Sequence, residues 1–371
     1  MDTHDDPVGG VRYDLLDPFK QAAQRVASAT DGNIRRLGLE VVPESRGESA
    51  FLFRSIVGPP PSLIASVPET LGTKNLVADS FREISNRTHY DAIAQDTVAM
   101  NVNDLITVGA LPVVVGAHIA AGSSEWFADE ERVTDLLNGW RAACDISGCV
   151  YGPGESPALT DLVTADSAVL SGFGIGVIRE PEHLIRSSAI SDGDAIVLLA
   201  SSGIHANGLT LARRLAASLP QGYATTLSDG SMLGAALLQP TTLYSPVLER
   251  CQDAGVQIHY AVNITGHGFR KLMRAIEPFR YTVEELPIPS PLFEFLIDQS
   301  GLSQEEAYAT FNMGAGFGIY VDQHDSDRVV ELSKQCGVTA WVAGRISRAD
   351  QRSVGLAAIG VTYDESSLQI R

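Results

Sequence analysis

The sequence predicts a two-domain protein of mixed α/β or α+β class. Three observations carry that expectation. A chain of 371 residues exceeds what one core comfortably holds and suits two domains of roughly 100–200 residues each. Apolar strand-like runs alternate with helical patterns but without a regular βαβ beat, which favours mixed sheets over a βα barrel. Turn signals cluster at Arg179-Glu180-Pro181 and Ser191-Asp192-Gly193-Asp194, which places a boundary near residue 180. The expected organisation is an N-terminal arm and helix over residues 1–60, a first domain over 61–180 and a second over 181–371.

The elements follow in order. Asp17-Pro18 opens an amphipathic helix over Phe19 to Ala29, with Asp17 as N-cap and Pro18 at the first helical position. Pro59-Pro60-Pro61 precedes a short strand, Leu63 to Val67. A long helix runs from Tyr90 to Gly109 and stops before Pro112, and Val113 to Val115 is a strand. Glu125 to Ile146 is helical, with Trp126, Val133, Leu136, Leu137 and Trp140 along one side. Short strands are expected at Cys149 to Tyr151 and Val169 to Val177. In the second half, Ala195 to Ala200 is a buried strand feeding a loop and a helix from Leu209 to Leu219. Strands over Ala315 to Val321 and Thr339 to Ile346 complete that domain.

Composition narrows function. Acidic residues outnumber basic ones by 45 to 27, for a net charge of -18, and no Lys/Arg cluster offers the basic footprint of a nucleic-acid binder. Such a chain repels free ATP, so a nucleotide site here needs metal ions and local backbone donors. Cys144, Cys149, Cys251 and Cys336 form no C-x-x-C pair, and they read as reduced thiols. The acidic start, Met1-Asp2-Thr3-His4-Asp5-Asp6, does not read as a targeting peptide, and no run approaches the ~20 apolar residues of a membrane span. The expectation is a soluble cytoplasmic protein with no membrane or nucleic-acid partner.

Several clusters could carry chemistry. On the long helix, Asp96, Met100 and Asn103 share a face, and Asn101 and Asp104 adjoin it. Carboxylates and amides there are costly to bury without partners, so they read either as a wet polar stripe or as oxygen ligands for magnesium. Pro68-Glu69-Thr70-Leu71-Gly72-Thr73-Lys74 could hold a metal beside a phosphate, or be a plain strand-to-helix turn. Gly152-Pro153-Gly154-Glu155-Ser156-Pro157 reads as a rigid loop presenting Glu155, or as a surface turn. The loop Ser201 to Gly208, between a strand and a helix, can cup an anion, with His205 and Asn207 as donors or proton carriers. Asn263 to Phe269 places Gly266 and Gly268 before a helix in a second anion-binding pattern. In Phe311 to Gly318, Asn312 is the one polar handle of a glycine-rich strand entry.

In order, these segments resemble phosphoribosylformylglycinamidine cyclo-ligase, also called aminoimidazole ribonucleotide synthetase. The run Asp96-Thr97-Val98-Ala99-Met100-Asn101-Val102-Asn103-Asp104-Leu105 is similar to that family's D-x-V-A-M-C-V-N-D-L. Ser201-Ser202-Gly203-Ile204-His205-Ala206-Asn207-Gly208 resembles S-S-G-x-H-S-N-G, and Leu238-Gln239-Pro240-Thr241 resembles L-x-P-T. Thr265-Gly266-His267-Gly268-Phe269 resembles T-G-G-G-F, and Phe311-Asn312-Met313-Gly314-Ala315-Gly316 resembles F-N-x-G-x-G. The match runs from about residue 66 to residue 346.

The resemblance implies an N-terminal domain that dimerises through its sheet and a C-terminal mixed α/β domain. It implies ATP and Mg2+ near the dimer interface and a phosphorylated small-molecule substrate. In that family ATP phosphorylates an amide-type oxygen, and an internal amine then displaces phosphate and closes an imidazole ring. Carried over by position, Asp96, Asp104 and Glu69 would bind metal. Lys74, Thr73, Asn103, Glu155, Thr265, Gly266, Gly268 and Asn312 would bind nucleotide or phosphate, and His205, Asn207 and Lys74 would act in catalysis.

Departures fall on these same positions. Family G-T-D-G-V-G-T-K is here Val67-Pro68-Glu69-Thr70-Leu71-Gly72-Thr73-Lys74, with Glu69 for aspartate. Family G-G-E-T becomes Gly152-Pro153-Gly154-Glu155-Ser156, His267 replaces a glycine, and Arg12 stands where the family has aspartate. Site changes on a retained scaffold suit a changed substrate. The rivals are a small-molecule kinase on the same fold and a nucleotide-binding relative without turnover. A selenophosphate-synthetase-like version lacks its N-terminal cysteine loop, since no Cys precedes Cys144.

Overall fold

A computed structural model describes residues 33–35, 38–45, 48, 50–56 and 63–368. The helix expected at Phe19 to Ala29, the segment around Arg12 and the Pro59-Pro60-Pro61 run lie outside the described residues.

The first sheet holds β1 (Leu39–Val41), β2 (Phe51–Ser55), β3 (Leu63–Thr70), β4 (Leu111–Ala121), β5 (Val150–Glu155) and β6 (Ala168–Ile178), in the order β1-β2-β3-β6-β4-β5. All neighbours are antiparallel except β4 and β5. Its helices are α1 (Asn75–Ser85), α2 (Tyr90–Leu105) and α3 (Glu130–Ser147). The alternation in β6 shows why one face is covered: Ala168, Leu170, Gly172, Gly174, Gly176 and Ile178 are buried, while Val169, Phe173 and Ile175 are exposed. The glycines let α2 lie close. A Cβ on Gly174 would meet Leu105 Cδ1 at 2.9 Å and Asn101 Cβ at 3.4 Å.

The second sheet holds β7 (Ala195–Ala200), β8 (Ile258–Asn263), β9 (Phe279–Val283), β10 (Ala315–Val321), β11 (Ala340–Arg348), β12 (Ser353–Leu356) and β13 (Val361–Asp364), in the order β13-β12-β9-β11-β7-β10-β8. It is mixed, with β12 and β9 parallel. Helices α4 (Leu209–Ser218), α5 (Leu233–Leu237), α6 (Ser245–Asp253), α7 (Pro291–Ser300), α8 (Gln304–Thr310) and α9 (Ser326–Gln335) accompany it. One contiguous apolar cluster includes Val98 and Val102 of α2 together with Leu198, Val247 and Ile319 of the second half. The expected class, mixed α/β with mixed sheets, is the observed one.

Several local expectations change. Pro68, Glu69 and Thr70 belong to β3 rather than to a turn, paired with Phe173, Gly172 and Ser171. Gly152 to Glu155 is strand, not loop, because the parallel ladder with β4 continues through Gly154 and Glu155. The stretch expected as one helix from Glu125 is a 3-10 turn, Ser124–Ala128, followed by α3. Asp129 separates them as N-cap, accepting from the Arg132 N–H. Leu137, expected on the buried side, is 46% exposed. The long helix breaks at Leu105 into a 3-10 turn, and Gly109 at φ 83° ends it. Among the described residues no helix is long and apolar enough to cross a membrane.

Candidate active site

Helix α2 sits between the two sheets, and its polar residues divide into two groups. The first group is fully buried. Lys74 Nζ lies 2.9 Å from Asp96 Oδ1 and 2.8 Å from Oδ2, and donates to the Gln239 carbonyl at 2.7 Å. Asp96 Oδ1 also accepts from the Thr241 N–H at 2.8 Å and its hydroxyl at 2.5 Å. Both side chains are 0% exposed. Burial pushes the Lys74 ammonium down and the Asp96 carboxyl up, and each is held back by the other. The structure thus spends Asp96 and Lys74 on each other and on the Gln239–Thr241 segment.

Asn103 and Gln95 extend this seam. Asn103 Nδ2 donates to the Thr242 carbonyl at 2.8 Å, and Oδ1 accepts from the Tyr244 N–H at 3.0 Å. Gln95 Nε2 donates to the Thr241 carbonyl at 2.9 Å. Every polar atom of the Asn103 amide that these bonds use is committed to the second half of the chain. Asn103→Ala leaves a buried carbonyl and N–H unpaired, at a cost of about 2–3 kcal/mol. Urea unfolding of wild type and variant checks this expectation.

The second group gathers where β3, α2 and β8 meet. Glu69 and Asp104 are side by side, and Asn263 Nδ2 donates to Asp104 Oδ1 at 2.8 Å. Burial and then the Asp104 charge push the Glu69 carboxyl from 4.5 up to about 7, with Lys271 pulling the other way. Lys271 Nζ hydrogen-bonds the Thr265 hydroxyl. Asn101, fully buried beside Gly172 and Gly174, donates from Nδ2 to the Thr97 carbonyl and leaves Oδ1 without a partner. Two adjacent carboxylates, one forced toward its neutral form, are a set that a hard cation fits. Among the described residues no larger group of His, Cys, Asp or Glu gathers to hold a metal, so remaining ligands would come from substrate oxygens or water.

The loop Ser201 to Gly208 leaves the end of β7. His205 is 3% exposed, with φ 59°, and its Nε2 accepts from the Ser202 N–H at 3.3 Å. Burial and then the Lys74 charge push its imidazole down to about 3, so it is neutral at physiological pH. Gly316 makes room for it, since a Cβ there would lie 2.1 Å from Tyr244 Oη and 2.6 Å from His205 Cε1. Asn207 Nδ2 is buried and unpartnered. Asn312 is engaged within the fold: Oδ1 accepts from the Ser201 hydroxyl and the Gly314 N–H, and Nδ2 donates to the Gly203 carbonyl.

The remaining candidates scatter. Thr73 is half-buried before α1, and Gly266 is half-buried. Gly268, at φ 52°, starts a 3-10 turn, Gly268–Met273, rather than an α-helix. Glu155 is exposed and shares a register row with His118, Ser171 and Thr70. That row lies three strand spacings wide, about 14 Å, and faces away from α2. Within one chain Glu155 does not join Glu69 and Asp104. The sequence pattern marks neither Asn263 nor Lys271 as a binding side chain. Asn263 carries a usable signal, since it ends β8 two residues before Thr265-Gly266-His267-Gly268.

Comparison with known proteins places the chain in a family. A family model described as "AIR synthase related protein, N-terminal domain" matches residues 65–178, and its C-terminal counterpart matches 191–356. The chain belongs to the AIR synthase related family. Curated relatives in this family include the phosphoribosylformylglycinamidine cyclo-ligase of Methanocaldococcus jannaschii, 33% identical over 74% of this chain and 76% of the relative. The cyclo-ligase of Carboxydothermus hydrogenoformans is 30% identical over 91% of this chain and 96% of its own. Among solved structures, thiamine-monophosphate kinase from Stenotrophomonas maltophilia has a TM-score of 0.58 at 18% identity, covering 89% of this chain and 95% of its own. A HypE–HypF complex has a TM-score of 0.59 at 14% identity, covering 85% and 92%. At these identities the structural likeness is one of fold.

Proposed function

We propose that this chain is an ATP- and Mg2+-dependent enzyme that phosphorylates an amide-type oxygen and lets an amine displace the phosphate. The substrate is formylglycinamidine ribonucleotide, giving aminoimidazole ribonucleotide, ADP and phosphate, or a related phosphorylated small molecule of a specialised pathway. The carrying observation is the Glu69–Asp104 pair, which is framed by Asn263, Thr265 and Lys271 of the second half. An amide oxygen is a very poor leaving group until it carries a phosphoryl group.

Glu69 and Asp104 would hold the metal, and Asn263 would fix the orientation of the Asp104 carboxylate. Bound there, Mg2+ supplies neutralisation of the charge that develops on the transferred phosphoryl group. Lys271 and Thr265 would place an ammonium and a hydroxyl on the phosphate side, with the free Asn207 amide as a further donor. His205, neutral and buried, would shape this loop rather than deliver a proton as imidazolium. Lys74, Asp96 and Asn103 would act as positioning residues that fix α2 against the Gln239–Tyr244 segment.

The domain assignment follows: residues 61–180 carry metal, ATP and the dimer contact, and 181–371 carry the substrate. The homodimer would bury the outer face of the first sheet, where Val113, Val169, Phe173 and Ile175 are exposed. Glu155 and His118 lie on that face, which is where an ATP site shared across the dimer would reach Glu155.

Purified protein mixed with ATP, Mg2+ and formylglycinamidine ribonucleotide should release ADP and the imidazole product. ATP consumption yielding a phosphorylated but unclosed product would favour a kinase. Nucleotide binding without ADP release would instead point to a relative without turnover, the reading that Glu69 and His267, which depart from the cyclo-ligase motifs, favour.

A further inference from the structure

Helix α3 ends in a Schellman motif. Gly148 takes φ 69°, its N–H donates to the Asp145 carbonyl at 3.4 Å, and the Cys149 N–H donates to the Cys144 carbonyl at 3.0 Å. This closure turns the side chains at its two ends toward each other, and an apolar contact ordinarily fills the gap. Here both ends are cysteines. The Cys149 N–H bond to the Cys144 carbonyl brings the two residues together across the turn, the proximity that a disulfide needs.

We propose that Cys144 and Cys149 form an oxidation site that closes to an intramolecular disulfide when a hydroperoxide such as hydrogen peroxide reaches it. The accessible sulfur is that of Cys149, which is half-buried, whereas Cys144 is 2% exposed. The proximity of the two sulfur atoms favours ionisation of the Cys149 thiol and disfavours that of Cys144. The assignment of roles follows from access first and from that difference in ionisation second. The Cys149 thiolate attacks the peroxide, breaking its O–O bond and giving a sulfenic acid and hydroxide. The Cys144 sulfur then attacks the Cys149 sulfur, and the sulfenic oxygen leaves with the Cys144 proton as water. Overall two thiols are oxidised to a disulfide and one peroxide is reduced to two waters.

The other cysteines form a weaker pair. Cys251 is fully buried with its thiol pushed up to about 12 by burial, and Cys336 donates to the Pro246 carbonyl at 3.6 Å. The disulfide would tie the last turn of α3 to the residue that enters β5, the edge strand whose Tyr151 stacks on Trp140 with centroids 5.3 Å apart.

Peptide mapping tests this on the full chain. No Lys or Arg lies between Arg141 and Arg179, so one tryptic peptide carries both cysteines. After hydrogen peroxide and then an alkylating agent, that peptide should lose two hydrogens, escape alkylation and regain both labels after dithiothreitol. Cys144→Ser should halt at a sulfenic acid on Cys149 that dimedone traps, and Cys149→Ser should give neither product. Circular dichroism checks folding of each variant, with Cys144→Ala as the alternative if the buried serine unfolds the chain. Full alkylation of both thiols after peroxide, dimedone labelling of Cys144 in Cys149→Ser, or a Cys251–Cys336 link formed instead would each overturn the assignment.

Discussion

Lys74→Ala is expected to destabilise the protein by about 3–5 kcal/mol, enough to unfold many domains of this size. The reason is specific. The substitution leaves the fully buried Asp96 carboxylate without its counter-charge and the Gln239 carbonyl without its donor. Asp96→Asn keeps the size of the side chain but removes the charge that Lys74 needs, so it too should lower stability rather than act on metal binding alone. Replacing both partners together, as in Lys74→Met with Asp96→Leu, should recover much of the loss because no lone charge remains. Denaturant titration of the single and double variants measures all of this. A single-variant cost below about 1 kcal/mol would show that the pair is solvated and that this seam is not what joins the two halves.

Glu69→Gln carries the second large effect, and it is visible in metal-free protein. The folded Glu69 carboxyl ionises near 7, against 4.5 for the ordinary group. A raised carboxyl adds stability at low pH that is lost as pH climbs from 4.5 through 7. The shift corresponds to about 3 kcal/mol at full ionisation. Metal-free wild type should therefore lose stability between pH 5 and 8, and Glu69→Gln should lack that slope and be the more stable of the two at pH 8. Saturating Mg2+ should flatten the wild-type slope but not alter the variant, and Mg2+-dependent ATP binding by calorimetry should disappear in Glu69→Gln and in Asp104→Asn. An unchanged slope in Glu69→Gln would assign the buried charge elsewhere.

The scaffold was largely readable in the sequence because its cues are local. The strand Ala195 to Ala200 and the alternation around Val169 to Val177 announce themselves through side-chain period alone. Strand ends were harder. Pro68 and the Gly152–Gly154 segment look like turns, yet the partner strands hold them in ladder register. The site was legible as a set of segments but not as a geometry. Asp96, Asn103 and Asp104 lie within nine residues on one helix, and no sequence rule separates those that clamp Thr241 and Tyr244 from the one that meets Glu69. That division depends on which residue of the second half arrives opposite each turn of α2. Lys271 shows the same limit: it reads as a surface cation of a helix start, and only the fold brings it to Thr265 and Glu69.

The most direct measurement follows the oxygen. Formylglycinamidine ribonucleotide labelled with oxygen-18 at its formyl oxygen, incubated with the protein, ATP and Mg2+, should yield ADP, the imidazole product and phosphate that carries the label. Unlabelled phosphate, or ATP left unspent while nucleotide binds, would contradict phosphorylation of that amide-type oxygen.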